Sequence, residues 1–222
     1  MEDDFRIEDI VAALAWQDGS DLSDIKKMYH AKFNSDLQLD LENIGGRRNL
    51  PVLRVLCAEG RDEGVQQGLS YKGLVQQNAT WLTQAIKGKD KDEFKVRLNN
   101  ILSQRSWDIL PDILEEFEQQ NGKDLAHYMK KMIGSKVAGA FHPLFFVLDE
   151  PSAFFAEELF AAVEGLVTKD SKLQFIFSSR AEIDLLSIDS VFKKMFDKRL
   201  SKVVKEETSG NYKKLLLAIL GT

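Results

Sequence analysis

Along most of the chain apolar residues return every three or four positions, the spacing that lines them up on one stripe of a helix. From Leu173 to Phe192 they fall at 173, 176, 177, 185, 188 and 192, and the stretch from about Tyr71 to Ile86 reads as a further helix. No segment sustains the strict alternation of a half-buried strand, so the pattern predicts an all-α protein. The prolines, at 51, 111, 143 and 151, stand mostly near expected helix starts or between helices, where a missing amide is tolerated.

The pattern also repeats. A displacement of 75 residues lays Leu98 on Leu173, Ile101 on Ile176, Leu102 on Phe177, Arg105 on Arg180, Leu110 on Leu185, Ile113 on Ile188, Phe117 on Phe192 and Leu125 on Leu200. A displacement of 88 lays Ile10 on Leu98, Leu14 on Leu102, Leu22 on Leu110, Ile25 on Ile113, Tyr29 on Phe117 and Leu53 on Phe141. Any two amphipathic helices can be overlaid, but one offset that carries several helices and their turns without a gap is the mark of a repeat array. The predicted organisation is a partial repeat at 1–58, a linker at 59–68 and full repeats at 69–148 and 149–222. Gly60, Gly64 and Gly68 mark the linker. Counted back from the second unit, the first lacks its opening helix.

Composition narrows the function. Hydrophobic residues make up 44% and charged residues 29% of 222, a globular balance, and the net charge of -5 gives no global attraction to nucleic acid. Cys57 is the single cysteine, which excludes intramolecular disulfides and Cys-rich zinc sites; within VLRVLCA it reads as a small buried hydrophobe. The acidic start MEDDFRIEDIV is unlike a signal peptide and the run Leu215 to Leu220 is too short to cross a bilayer, so a cytoplasmic location is expected. His30, His127 and His142 are scattered with no HExxH, and the chain lacks a P-loop, a GxSxG elbow and a Gly-rich dinucleotide turn; no enzyme is predicted. Lys193, Lys194, Lys198, Arg199, Lys202 and Lys205 alternate with apolar core positions and read first as a solvated surface rather than a contact for anionic lipid or a partner. Arg105 and Arg180 recur in register at the end of the same helix, the placement of structural ion pairs.

The segments PSAFFAEELFAAVEGLVTKDSKLQFIFSSR, from Pro151, and EIDLLSIDSVFKKMFDKRLSKVVKEETSGNYKKLLLAILG, from Glu182, closely resemble the fourth repeat of an annexin. The middle unit, with LSQRSWDIL at the matching turn, resembles a third repeat, and the first resembles the distal part of a second. The long connector between them is similar to that of annexins, and nothing corresponds to a first repeat. The resemblance implies an array of five-helix repeats wound into a curved right-handed superhelix. It also implies calcium-dependent, peripheral binding to acidic phospholipid membranes from the cytosol.

In the annexin site a Gly-x-Gly-Thr turn offers backbone carbonyls, and an acid about forty residues on supplies a carboxylate; water and lipid phosphate complete a shell of roughly 6 to 8 oxygens. The last unit reads Val163-Glu164-Gly165-Leu166-Val167-Thr168, with Glu207 at the acid position. The resemblance therefore implies calcium held by the carbonyls of Val163, Gly165 and Val167 together with Glu207. Glycine suits such a turn through positive φ or close approach. Val167 replaces the second glycine, and a β-branched residue forced into a left-handed conformation costs on the order of 1 to 2 kcal/mol, about tenfold in affinity, so a weakened site is expected. Glu207 has a competing reading: it precedes Thr208 and Ser209, a helix N-cap region where negative charge is favoured. In the middle unit the matching positions are Gly88, Asp90 and Asp92, with Met132 in place of the acid; a thioether cannot serve, which leaves only weak binding by Asp90 and Asp92 themselves. In the first unit Ile44 stands at the acid position and no site is expected.

The alternative is a calcium-independent protein-interaction or scaffolding module, with protein partners on the repeat surface. Stacked repeats share a continuous core, so an array short of one repeat is expected to expose an apolar face. Self-association or low thermal stability is the predicted result, checked by light scattering and thermal unfolding; a monodisperse monomer with a high Tm would contradict it.

Overall fold

The computed structural model describes residues 6–62, 70–165 and 167–221. Among these residues helices are joined by short turns, and the sole strand-like feature is an isolated parallel bridge between Asp62 and Arg105. Two compact units, Met1–Leu148 and Asp149–Thr222, divide the chain. The first holds α1 (Ile7–Leu14), α2 (Gly19–Phe33), α3 (Leu37–Leu56), α4 (Tyr71–Gly88), α5 (Lys91–Gln104), α6 (Leu110–Asn121), α7 (Leu125–Met132), α8 (Ser135–Ala140) and α9 (His142–Asp149), which reaches the boundary. The second holds α10 (Pro151–Val163), α11 (Asp170–Arg180), α12 (Leu185–Phe196), α13 (Leu200–Glu207) and α14 (Gly210–Ile219).

Local chemistry accounts for many helix boundaries. The side chains of Asp18, Asp36, Ser70, Asp90 and Asp124 accept amide hydrogens from the first turns of α2, α3, α4, α5 and α7, donors that would otherwise have no partner. Asn34, Gly122 and Asp197 end α2, α6 and α12 in the left-handed conformation, with φ of 51°, 72° and 54°. They are separated by the same 88 and 75 residues as the sequence repeat. Gly46 (φ 69°, ψ 167°) kinks α3 where its counterpart Gly134 (φ 90°, ψ 150°) separates α7 from α8. That region of backbone space is accessible essentially to glycine alone.

Every overlaid apolar position of the middle repeat from Leu98 to Leu125 is buried, as are its counterparts from Leu173 to Leu200. In the first unit α4 packs on α5 and α6; in the second α10 packs on α11 and α12. The periodic stretch from Leu173 to Phe192 is divided between two helices, because residues 181–184 turn while Arg180 closes the corner with two bonds to the Asp184 carboxylate, at 2.7 and 2.8 Å. In the partial repeat, Ile10, Ile25, Tyr29 and Leu37 are only half-buried, while Met28, Phe33, Leu39 and Ile44 are exposed.

Arg61 joins the partial repeat to the middle one. Its guanidinium donates to the carbonyls of Val55, Leu102 and Arg105 at 2.7, 2.7 and 2.9 Å and lies 3.6 Å from the centroid of Trp107, whose indole N–H reaches the Gln17 carbonyl. Burial lowers its pKa to about 10. Next to it the Asp62 carboxylate pairs with Arg105. Residues 63–69, which include most of the expected linker with Gly64 and Gly68, lie outside the described residues. Cys57 is buried, and burial pushes its thiol up to about 11.

The backbone at Gly46 generates a direct test. Gly46→Ala is expected to lose about 1 to 3 kcal/mol in urea unfolding, since alanine is strained at that φ and ψ. Gly88→Ala, at a helical position with open space around it, is expected to be neutral or stabilising by a few tenths of a kcal/mol or more. Equal midpoints for the two variants would contradict the assignment of strain.

Candidate functional site

In the second unit two loops come together. The first connects α10 to α11. Glu164 N–H bonds to the Phe160 carbonyl and Lys169 N–H to the Ala162 carbonyl, both at 2.8 Å, so the loop is closed across its base. Below it Glu158 of α10 and Lys172 of α11 form an ion pair at 2.5 Å with side chains only 6% and 11% exposed. A pair so withdrawn from water holds the two helix ends at a set separation.

Within the loop, a side chain at Gly165 would stand 4.0 Å from the Val167 carbonyl oxygen, an ordinary contact, and the φ of Gly165 lies outside the left-handed region. The freedom expected of this glycine is therefore not used here. The strain expected at Val167 turns on the peptide from Leu166, which lies outside the described residues. The Val167 side chain is 81% exposed.

The second loop follows α13 and delivers the acid. The Thr168 hydroxyl donates to Glu207 Oε2 at 2.9 Å, across 39 residues of chain. The competing reading also has its place: Ser209 is the N-cap of α14, two residues after Glu207, although its side chain makes no capping bond and the Thr208 hydroxyl turns back to the Val204 carbonyl at 2.6 Å. Glu207 is exposed, and Oε1 has no hydrogen-bond partner among the described residues. Val163, the last residue of α10, and Gly165 and Val167 thus belong to the loop whose Thr168 meets Glu207. The donors on offer are carbonyl and carboxylate oxygens, the set suited to a hard cation such as calcium rather than to zinc. No group of three or more His, Cys, Asp or Glu side chains arranged for a metal occurs among the described residues, so one carboxylate and backbone oxygens are what this loop pair provides.

The corresponding places in the first unit are arranged differently. The Asp90 carboxylate accepts from the amides of Asp92 and Glu93 at 3.0 and 2.9 Å and caps α5. Asp92 bonds to Lys95, which holds its carboxyl below the usual range. Met132 is buried and Ile44 is exposed on α3. Around α12 and α13 the basic side chains are exposed; Arg199 pairs with Asp189, and Lys198 and Lys202 approach Glu206. Arg105 and Arg180 both form ion pairs, with Asp62 and Asp184. The Glu158–Lys172 brace and the Arg61 junction were not foreseen. Glu158 carried a signal, a charge inside the apolar run FFAEELFAA, whereas Arg61 sits in a glycine-rich segment with nothing to distinguish it.

Comparison with known proteins agrees with this architecture. A family model described as Annexin matches residues 77–145 and 154–219. Human Annexin A7 is 30% identical over 215 residues, covering 96% of this chain and 43% of its own length. Human Annexin A4 is 30% identical over 213 residues, covering 96% of this chain and 65% of its own length. The chain therefore spans between two fifths and two thirds of these relatives. Among solved structures, Annexin III superposes with a TM-score of 0.78 at 28% identity, over 97% of this chain and 66% of that one.

The brace beneath the loop can be tested by itself. Lys172→Met removes the cation beside a carboxylate that is almost fully buried, and a loss on the order of 3 kcal/mol is expected in denaturant unfolding. Combining it with Glu158→Gln should restore part of that loss. A single variant as stable as the parent would contradict the brace.

Proposed function

The chain belongs to the annexin family, and on that footing we propose that it binds acidic phospholipid surfaces peripherally, through calcium held at the loop pair of the second unit. The observation that carries this reading is the Thr168–Glu207 hydrogen bond, which brings an acid from the end of α13 to the loop after α10. The carbonyls of Val163, Gly165 and Val167 and the Glu207 carboxylate would hold the ion. When bound, calcium would supply the positive charge that accepts an oxygen of an acidic headgroup while Glu207 balances part of it.

The chain's own residues prepare that site. Thr168 orients one oxygen of Glu207 and leaves the other open, and the Lys169 amide keeps the loop closed. The Glu158–Lys172 pair sets the spacing of α10 and α11. Val167 presents an apolar side chain to solvent at the same loop. Attachment by headgroup contact suits a chain in which no described helix is long and apolar enough to cross a membrane. The reading is of binding rather than catalysis, on the cytoplasmic side of the membrane, with the second unit as the single calcium-bearing surface. Capping by Asp90 and the thioether of Met132 argue against a like site in the first unit.

Co-sedimentation with phosphatidylserine vesicles tests the proposal. Glu207→Gln keeps the shape but removes the charge, and calcium-dependent binding is expected to collapse; Met132→Gln should leave it unchanged. Val167→Gly should tighten calcium binding by about tenfold if the side chain strains the turn. Binding that persists equally in chelator and in Glu207→Gln would overturn calcium bridging in favour of a calcium-independent interaction module.

A further inference from the structure

A second candidate site lies in the first unit, on the outer face of α4. A cavity of about 480 Å³ is walled there by Gln76, Gln77, Thr80, Trp81 and Gln84, with Asn78 and Arg105 behind them. Gln76, Thr80 and Gln84 form one row along the helix and Gln77 and Trp81 the adjacent row, the consequence of four-residue spacing on one face. The stripe is about 12 Å long at 1.5 Å per residue.

The rear wall is fixed and carries no net charge. Arg105 is answered by Asp62, and its Nε donates to Asn78 Oδ1 at 3.1 Å. Asn78, 2% exposed, donates its own amide to the Leu74 carbonyl at 2.7 Å. The Trp81 ring is held from one side by the Arg97 guanidinium, 5.1 Å from its centroid, and Arg97 also bonds to the Trp81 carbonyl. The front is open. Neither the Gln76 nor the Gln77 amide has a partner among the described residues, and Gln84 engages only its oxygen, in a 3.4 Å contact from Arg97. The Gln76 and Gln77 amides therefore each present a donor beside an acceptor, and Gln84 presents a donor.

This lining selects by exclusion. A ligand with net charge gains nothing, because the two cations at the wall, Arg105 and Arg97, are already paired with Asp62 and Glu93. An apolar ligand would strip water from three amides without replacing their hydrogen bonds. A ligand with adjacent hydroxyls meets the donor–acceptor pairs, and a C–H face can lie against the indole. We infer that this cavity binds a neutral saccharide of one or two rings, through Gln76, Gln77, Gln84 and Trp81, without calcium. Its volume falls within the roughly 300 to 1,000 Å³ of small-molecule sites. The inference concerns another unit and another chemistry than the calcium loop, so it stands or falls separately.

Titration of the isotopically labelled protein with maltose, lactose and sucrose, followed by NMR in chelator, tests it. Saturable shifts of the Trp81 indole and the Gln77 and Gln84 side-chain amides by at least one of these sugars are expected in the millimolar range. The Gln77→Ala/Gln84→Ala double variant, altered only at exposed positions, should keep its spectrum elsewhere and bind about tenfold more weakly, the equivalent of roughly 1.4 kcal/mol. Linear, unsaturable shifts with all three sugars, or an unchanged affinity in the double variant, would overturn the assignment. So would tighter binding of glucose 6-phosphate than of glucose.

Discussion

The turn after the third helix of each repeat decides where the rest of that repeat goes. At Asn34, Gly122 and Asp197 the backbone enters the left-handed region and the amide of that residue bonds back to the carbonyl four residues earlier, at 2.8, 2.7 and 3.0 Å. This is the αL termination of a helix, favoured by glycine and tolerated by asparagine and aspartate because their short polar side chains offset part of the strain. A wrong angle at this point would redirect the fourth helix, and with it the junction before the fifth. In the second unit that junction carries Glu207. The turn at Asp197, ten residues before Glu207, thus comes ahead of the helix that carries Glu207 to Thr168.

The repeats keep this frame while differing in what they build on it. The fourth-helix start is capped by Asp36 and Asp124 in the first unit, whereas in the second Asp189 reaches across from α12 to the amide of Leu200 and to Arg199. The loop between first and second helices shows the same divergence. In the middle repeat it is reduced to Lys89 and Asp90, and one oxygen of the Asp90 carboxylate, Oδ1, accepts both capping amides of α5. In the last repeat α11 begins only at Asp170, and the longer loop carries Thr168, which meets Glu207. A carboxylate that caps a helix start is held in place by the amides it caps, and at the middle repeat no second acid joins it, because Met132 stands at the acid position.

How much of this was legible in the chain depends on the range of the interaction concerned. Helical character, the repeat and the buried stripe follow from local spacing, and Leu98, Leu110, Phe117 and their counterparts Leu173, Leu185 and Phe192 are all buried. The resemblance of Pro151 to Arg180 and Glu182 to Gly221 to an annexin repeat reached the family, which the comparisons show. Turn geometry was less accessible. The break at 181–184 is closed by Arg180 and Asp184, a pair invisible to hydrophobic periodicity, and Trp16 holds a φ of 68° without a glycine or asparagine to announce it. Arg61 is the clearest case of an interaction that only folding creates, since its three carbonyl acceptors come from residues 55, 102 and 105. At the loop of the last repeat, the spacing of Val163, Gly165, Val167 and Glu207 was visible, while the Lys172–Glu158 brace beneath them required the packing of α10 on α11.

The proposed function places a cation at the loop pair of the last repeat and none in the other repeats. A crystal structure of the protein grown with calcium, phased so that anomalous scattering identifies the ion, tests it most directly. The account predicts one ion in the second unit, bound by the carbonyl oxygens of Val163, Gly165 and Val167 and by Glu207, with the loop between α4 and α5 empty. An ion seated on Asp90 and Asp92, or a second unit that stays metal-free at saturating calcium with Glu207 still bonded to Thr168, would contradict it.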